Sequence, residues 1–141
     1  MVKDISSLYL DAIKRHAADP AGFRQKIDAT HQHEEYNPLC GDRILLQLRI
    51  DAGRIEAAAF DGEACAICLA SSSLLCEHVP GRPVEDLLEQ HRQLSEALES
   101  GEGTPGMDAL TPLLGVRPYP SRIQCATLPW KAAARAIVTK I

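Results

Sequence analysis

Aromatic residues are scarce in this chain of 141 residues, at 4% of the total, and basic residues are outnumbered. Fifteen lysines and arginines face 19 aspartates and glutamates, which leaves a formal net charge of −4. Proteins that bind a phosphate backbone normally carry a basic stripe. We therefore expect no nucleic-acid partner.

Long apolar runs are also missing. The sequence has no run of about 18 apolar residues that could span a bilayer, and residues 1–6 lack the apolar centre of a signal peptide. We expect no membrane partner and a cytoplasmic location. The composition, 45% hydrophobic and 24% charged, is ordinary for a globular chain, and the length suits a single domain over residues 1–141.

Cysteine is what the chain does have, with five residues. An odd count without a secretion signal favours metal ligands or reactive thiols over a disulfide framework. Cys40 lies in the polar turn Asn37-Pro38-Leu39-Cys40-Gly41-Asp42-Arg43, and Cys65 follows the next strand-like run. Cys125 lies far downstream, so only the fold can bring the three together.

Two stretches alternate with the period of a half-buried strand. Ile44, Leu46, Leu48 and Ile50 alternate with other residues, Ala52-Gly53 turns the chain, and the alternation resumes from Ile55 to Phe60. This pattern predicts an antiparallel hairpin. Because one strand runs up and the next runs down, the Cys40 turn and the turn at Gly62 should share one end of the sheet, with Cys40 near Cys65.

The rest of the chain is predicted mainly helical. Apolar spacing and proline or glycine breaks place helices at about residues 5–16, 65–79, 83–98, 107–114 and 121–138. The first has its apolar stripe on Ile5, Leu8, Tyr9, Ala12 and Ile13, and Pro129 is expected to kink or restart the last. Residues 22–36 lack periodicity and are predicted to form a long loop.

The polar turns offer a ligand set. Zinc takes four ligands from thiolate, imidazole and carboxylate, and an iron–sulfur cluster takes several thiolates. Cys40, Asp42, Cys65 and Cys125 would suit either, if the fold assembles them. His16, His31 and His33 are more simply explained as packed or solvated residues.

Two other interpretations of the cysteines remain open. They can be small buried hydrophobes, which we favour for Cys76 because it falls on an apolar helical stripe. Cys65-Ala66-Ile67-Cys68 can also be a redox dithiol at a strand-to-helix junction. A thioredoxin-like protein needs a parallel βαβ framework, whereas this pattern predicts an antiparallel hairpin. Cys68 is then an alternative ligand or a resolving thiol.

Several motifs together resemble one known family. They are Tyr9-x3-Ile13-x2-His16-x3-Pro20, Asn37-Pro38-x-Cys40-Gly41-Asp42, Gly62-x-x-Cys65 with Ala70-Ser71-x-Ser73, and the late Cys125. In this order they resemble the U-type iron–sulfur cluster assembly proteins, which include IscU, SufU and the N-terminal domain of NifU. The similarity is greatest to the SufU type, through Pro112-Leu113-Leu114-Gly115-Val116-Arg117 and the residues around Cys125.

The resemblance implies an α+β fold in which a three-stranded antiparallel sheet is covered on one face by helices. It implies a surface site of Cys40, Asp42, Cys65 and Cys125 that holds zinc, iron or a [2Fe–2S] cluster. It also implies a scaffold or sulfur acceptor that works with a SufS-like cysteine desulfurase and supplies recipient apo iron–sulfur proteins, with Cys125 as the first persulfide acceptor. Whether it is a scaffold, a zinc-dependent sulfurtransferase or a structural zinc domain stays open, and with it whether it is an enzyme.

The sequence departs from this family at a few positions. Gln124 precedes the last cysteine where IscU has a histidine, and the Leu-Pro-Pro-Val-Lys chaperone motif of IscU is missing. Cys68 stands where the family usually has a small polar residue. Pro20-Ala21-Gly22-Phe23 replaces the usual Pro-Arg-Asn after the first helix, and Pro129 interrupts the last helix. Together with Cys68, these departures affect desulfurase docking more than the four expected ligands.

Overall fold

A computed structural model describes residues 5–141, with side chains described from residue 9 onward. Its elements are α1 (Ile5–Ala18), β1 (His31–Asn37), β2 (Asp42–Asp51), β3 (Arg54–Glu63), α2 (Ala66–His78), α3 (Val84–Ser100), a 3₁₀ helix (Asp108–Val116) and α4 (Pro120–Ala136). The predicted helices all appear at close to their expected positions. The Ile5 and Leu8 side chains of the predicted α1 stripe lie outside the described part.

The three strands form one antiparallel sheet in the order β1-β2-β3. Along β2, Ile44, Leu46 and Leu48 are fully buried while the residues between them are partly exposed, which confirms the predicted alternation. The hairpin turns at Ala52 and Gly53, and Arg43 at the start of β2 pairs with Glu63 at the end of β3. The start of β2 and the end of β3 therefore meet at one edge.

The prediction of a loop over residues 22–36 is wrong for its second half, which forms β1. The side chains at alternate positions of β1 are His33, Glu35 and Asn37, so the apolar alternation that marks a strand is absent. Ion-pair partners offset the cost of burying a polar side chain in this strand. Glu35 is buried and pairs with both His33 and Arg135 of α4, contacts that no local pattern reveals.

The helices complete the α+β fold. α2 and α4 pack on the sheet, while α1 packs on α2 and α3 packs on α4. Trp130 of α4 is fully buried, and its indole N–H donates to Ser71 Oγ of α2 at 3.1 Å. α4 continues through Pro129, so the expected restart at that residue does not occur.

Among the described residues, no helix combines the length and apolarity that crossing a bilayer requires. The predicted three-stranded sheet with a helical cover is confirmed. In this fold the end of β1, the start of β2, the end of β3 and the start of α4 lie at one corner of the molecule.

Candidate metal centre

A tight turn between β1 and β2 presents Cys40. Asn37 accepts the Gly41 amide through its backbone oxygen at 2.8 Å and the Leu39 amide through its side-chain oxygen at 3.1 Å. Gly41 has a φ of 73°, a left-handed conformation that favours glycine. The turn leaves Cys40 partly exposed and sends the chain straight into β2.

Asp42 is the first residue of β2 and is 2% exposed. One carboxylate oxygen accepts the Cys65 amide at 2.8 Å, and the other lies 3.6 Å from Cys65 Sγ. Cys65 is the N-cap residue of α2, where the helix dipole favours negative charge. Asp42 thus joins the Cys40 turn to the start of α2.

Gly62 makes the close approach of β3 to β2 possible at this edge. Its φ is 146°, and a Cβ added there would lie 1.9 Å from the Arg43 carbonyl oxygen. Any larger residue would push the end of β3, and Cys65 beyond it, away from Asp42.

Cys125 reaches the site from the second turn of α4. Its Sγ lies 3.3 Å from Cys40 Sγ, and the Asn37 amide nitrogen lies 3.8 Å from it. Burial is the main cause that raises the pKa of the Cys125 thiol, and its hydrogen bonds with Cys40, Asp42 and Cys65 raise that pKa further. Ser71 fixes α4 here, because its hydroxyl donates to the Ala126 carbonyl at 2.5 Å.

The donor set fits a metal ion. The ligand atoms of Cys40, Asp42 and Cys125 all lie within 4.8 Å of one another, and Cys65 Sγ adjoins the same carboxylate. In a tetrahedral zinc site with Zn–S bonds of about 2.3 Å, ligand sulfurs are separated by about 3.7 Å. The 3.3 Å between Cys40 Sγ and Cys125 Sγ is close to that spacing. The 3.6 Å between the Asp42 carboxylate oxygen and Cys65 Sγ is also short enough for both atoms to bind one ion.

The other cysteines and the histidines are not members of this cluster. Cys68 is fully buried one helical turn beyond Cys65, and Cys76 is buried deeper along α2. His16 bonds Ser73 Oγ at 2.9 Å, and His33 bonds Glu35 at 3.0 Å. His16 is a packed residue, as the sequence indicated, whereas His33, expected in a solvated loop, lies in β1 and pairs with the buried Glu35.

Two residues of the site were not singled out by sequence reasoning. Asn37 organises the turn and also contacts Cys125, and its place at the head of the turn motif was the available signal. Arg122 lies beside the thiols. The pKa of the Arg122 guanidinium is raised, mainly by the charge of Cys65 and next by a hydrogen bond with Cys125. Arg122 is one turn before Cys125, a spacing that could have suggested it.

Known proteins share this chain's sequence and fold. The zinc-dependent sulfurtransferase SufU of Bacillus subtilis is 32% identical over 136 residues, which cover 95% of this chain and 92% of that protein. The iron–sulfur cluster assembly scaffold protein IscU of Streptococcus pyogenes is 35% identical, covering 94% of this chain and 84% of that protein.

A solved structure agrees on the fold. The crystal structure of the N-terminal part of a NifU-like protein from Brucella abortus superposes with a TM-score of 0.83 at 23% identity, covering 95% of this chain and 94% of that one. The model of the family described as the NifU-like N terminal domain matches residues 8–139. The chain belongs to this NifU-like N-terminal domain family.

Proposed function

We propose that this protein serves iron–sulfur cluster assembly, accepting sulfur from a cysteine desulfurase and holding zinc or a nascent [2Fe–2S] cluster. The convergence of Cys40, Asp42 and Cys125 within 4.8 Å carries the proposal. These residues come from a turn, a strand and a distant helix, and Cys65 adjoins them. A hydrophobic core alone gives no reason for three thiols and a buried carboxylate to meet at one corner.

Each ligand has a distinct part. Cys40, Cys65 and Cys125 are soft donors suited to zinc or iron, whereas the Asp42 oxygen is a hard donor and the natural one to exchange. Cys125 is the proposed persulfide acceptor. It is buried, and Cys40, 3.3 Å away and partly exposed, stands beside it towards solvent. The metal, when bound, keeps its thiol ligands ionised at neutral pH.

A sulfurtransferase that never builds a cluster is the second candidate. The relative named a zinc-dependent sulfurtransferase favours it, and the relative named a scaffold favours cluster assembly. Both need the same four ligands and the same sulfur donor. They differ in whether iron and sulfide accumulate on the protein.

A purely structural zinc domain and a thioredoxin-like dithiol are less well supported. The core is built mainly from Trp130, Phe60 and the buried aliphatic side chains, and of the four proposed ligands only Cys125 belongs to it. The described sheet is antiparallel throughout, which is not the parallel βαβ framework of thioredoxin.

The surface around the site supports a protein partner. Leu39 is 79% exposed beside Cys40, and Tyr119 is 59% exposed near Arg122. A groove of about 400 Å³ runs from Tyr9, Leu10 and Ile13 of α1 to Ile67, Tyr119 and Arg122. Exposed apolar side chains next to a reactive site are typical of protein contact surfaces. We propose that the desulfurase docks here, and that recipient apoproteins approach the same corner.

All five cysteines are free thiols, which is consistent with a reducing compartment, and we propose a cytoplasmic location on that basis.

Metal analysis tests the ligand assignment. The protein is purified anaerobically, and zinc, iron and acid-labile sulfide are measured per chain for the parent and for Cys40→Ser, Cys65→Ser and Cys125→Ser. Each change should lower occupancy sharply, because each removes a thiolate ligand. Cys76→Ser is the matched control, a buried cysteine on α2 away from the cluster. Equal loss for Cys76→Ser would refute the assignment.

A second experiment tests sulfur acceptance. The protein is incubated with a cysteine desulfurase and cysteine, and persulfides are located by mass spectrometry. A persulfide on a site thiol is the expected result, with Cys125 as the proposed first position. Absence of persulfide from all five cysteines would rule out the sulfur-acceptor role.

A further inference from the structure

Cys68 is the one thiol next to the metal centre that the proposed function leaves unused. Like Cys125 it is 0% exposed, but Cys125 Sγ lies 3.3 Å from the partly exposed Cys40, whereas no hydrogen bond among the described residues joins the Cys68 sulfur to a partly exposed thiol. Cys68 lies one helical turn from Cys65 on α2 and belongs to the same core cluster as Cys125. Its reaction partner must therefore come from the site itself.

The geometry of α2 identifies Cys65 as that partner. Cys65 is the N-cap residue, its carbonyl accepts the Leu69 amide at 2.9 Å, and Cys68 is the third residue of the helix. An N-cap side chain points over the third helical residue, and side chains three apart share a helix face. Cys65 makes no side-chain cap bond to the helix, so its sulfur is not held there.

Closing this pair needs little movement. Cβ atoms three residues apart on a helix are about 5 to 6 Å apart, and a disulfide needs about 3.5 to 4.5 Å. The N-cap residue has an extended backbone, with φ −68° and ψ 165°, and precedes the first helical residue. Backbone rotation there would bring Cys65 closer to Cys68 at the expense of the hydrogen bonds that its amide and carbonyl make with Asp42 and Leu69.

We propose that Cys68 is the resolving thiol that discharges a persulfide on Cys65 as sulfide, an inference that rests on the proposed sulfur-acceptor role. The persulfide forms on Cys65 directly or by exchange with the neighbouring thiol of Cys125. The outer sulfur of this persulfide points towards solvent, because Cys65 is partly exposed and the side facing Cys68 is buried. Cys68 therefore meets the inner sulfur, Cys65 Sγ.

The reaction balances without an outside oxidant. The Cys68 sulfur bonds to Cys65 Sγ, the bond between Cys65 Sγ and the outer sulfur breaks, and the outer sulfur leaves with the bonding electron pair. The outer sulfur is reduced to sulfide and leaves as HS⁻ with the proton of the Cys68 thiol, while Cys68 is oxidised into the disulfide. A dithiol reductant then restores both thiols for the next round.

Burial is the main cause that raises the pKa of the Cys68 thiol well above its usual range, with Asp42 and Cys65 adding to the effect. Because the thiolate is the attacking form, the Cys68 proton must pass to the departing sulfur as the new bond forms. The same proton is the one that leaves with the sulfide.

A single-turnover measurement tests this role. The parent protein, Cys68→Ser, Cys68→Ala and Cys76→Ser are each loaded in two ways, with a desulfurase plus cysteine and with inorganic polysulfide. Excess reagent is removed, and sulfide release without added thiol is followed over time. Melting temperatures are recorded for all four proteins, and the alanine variant covers the case in which a buried serine hydroxyl disturbs folding.

The parent and Cys76→Ser should release sulfide, and mass spectrometry of their tryptic peptide 55–92 should show the loss of two hydrogens that marks a new disulfide. In Cys76→Ser that peptide contains only Cys65 and Cys68, so the new bond is assigned without ambiguity. Both Cys68 variants should keep the persulfide and release sulfide at least about tenfold more slowly, because the intramolecular attack is lost. Equal release from the Cys68 variants, or a parent disulfide that joins Cys40 to Cys125 instead, would overturn the inference.

The two loading methods separate the inference from the proposed function. If polysulfide-loaded protein discharges through Cys68 but the desulfurase loads no thiol, the sulfur-acceptor role is refuted and the Cys68 chemistry stands. If the desulfurase loads the protein and Cys68 has no effect on release, the proposed function stands and this inference is refuted.

Discussion

Asp42 has two structural tasks that its position in the turn motif did not distinguish. An aspartate after Gly41 could simply bond nearby turn amides, but Asn37 performs that task by accepting the Leu39 amide. Asp42 instead reaches across to Cys65, accepting its amide with one oxygen and facing its sulfur with the other. It is therefore a scaffold for the start of α2 as well as a candidate ligand.

Substitutions at Asp42 separate these tasks. Asp42→Asn keeps an oxygen for the Cys65 amide and should lose little stability, whereas Asp42→Ala leaves that amide unpaired and should lose about 1 to 3 kcal/mol of unfolding free energy. Both should retain metal on the three thiolates and transfer sulfur or cluster more slowly, because the exchangeable oxygen ligand is changed. Urea unfolding, metal content and transfer rate check this. A destabilised variant with normal transfer would remove Asp42 from the site.

Arg122 is the positive group beside the thiols, and its removal should slow sulfur acceptance. Arg122→Gln takes away the positive charge beside the site thiols, so persulfide formation should slow several-fold at low salt, because a nearby cation stabilises an attacking thiolate. Because Arg122 is exposed, added salt should reduce the difference from the parent. Lys131→Gln makes the same charge change elsewhere on α4. A matching loss in that control would indicate a net-charge effect unrelated to the site.

At the scale of elements, the site depends on strand ends that meet without side chains between them. Gly62 is the point of closest approach, where β3 passes the Arg43 carbonyl. The Asp42–Cys65 contact follows directly from this pairing, since both residues lie just beyond it.

Gly62→Ala should damage fold and site together. The added Cβ would collide with the Arg43 backbone, and φ of 146° is unfavourable for alanine, so we expect a loss of about 2 kcal/mol or more in unfolding free energy. Metal content should fall as Cys65 moves from Asp42. Gly53→Ala is the control, since φ there is also positive, at 75°, but its Cβ meets nothing within 4 Å. It should cost only about 1 kcal/mol. Similar losses from both changes would show that conformation, and not close approach, dominates at Gly62.

The elements also show where sequence reasoning succeeds and where it stops. The β2–β3 hairpin was predictable because Ile44, Leu46 and Leu48 face the core and the turn is marked by Gly53. β1 was not predictable from pattern, because Glu35 is buried through its pairing with Arg135, a hundred residues later. Local periodicity carries no information about such a partner.

The site follows the same division. The hairpin predicted that Cys40 and Cys65 would be close, from the direction of two adjacent strands. Cys125 entered the expected site as a candidate ligand by its residue type, but no local pattern placed it near the others, because its position depends on how α4 packs on α2. That packing is set by buried contacts such as Trp130 with Ser71.

At the scale of the whole molecule, the metal centre lies at the edge of the core. The buried apolar side chains of β2, α2, α3 and α4 make up most of the core, Cys125 belongs to it, and Cys40 and Cys65 are partly exposed. A chain of this length buries enough surface to fold without a metal. An exchangeable cargo requires this arrangement, since a fold that needed its metal would unfold at each transfer.

Removal of the metal should therefore lower stability and leave the fold intact. A ligand that binds only the folded state, at about a hundred times its Kd, adds about 2.7 kcal/mol, so chelation should lower Tm by about 10 °C. The transition should stay cooperative, with an unchanged far-ultraviolet circular dichroism spectrum at room temperature. Cys40→Ser is the control, because a protein that has lost its metal site should show little response to chelator. Scanning calorimetry and circular dichroism with and without chelator provide the measurement. Unfolding of the parent at room temperature on chelation would establish the structural zinc domain and reject a transferable cargo.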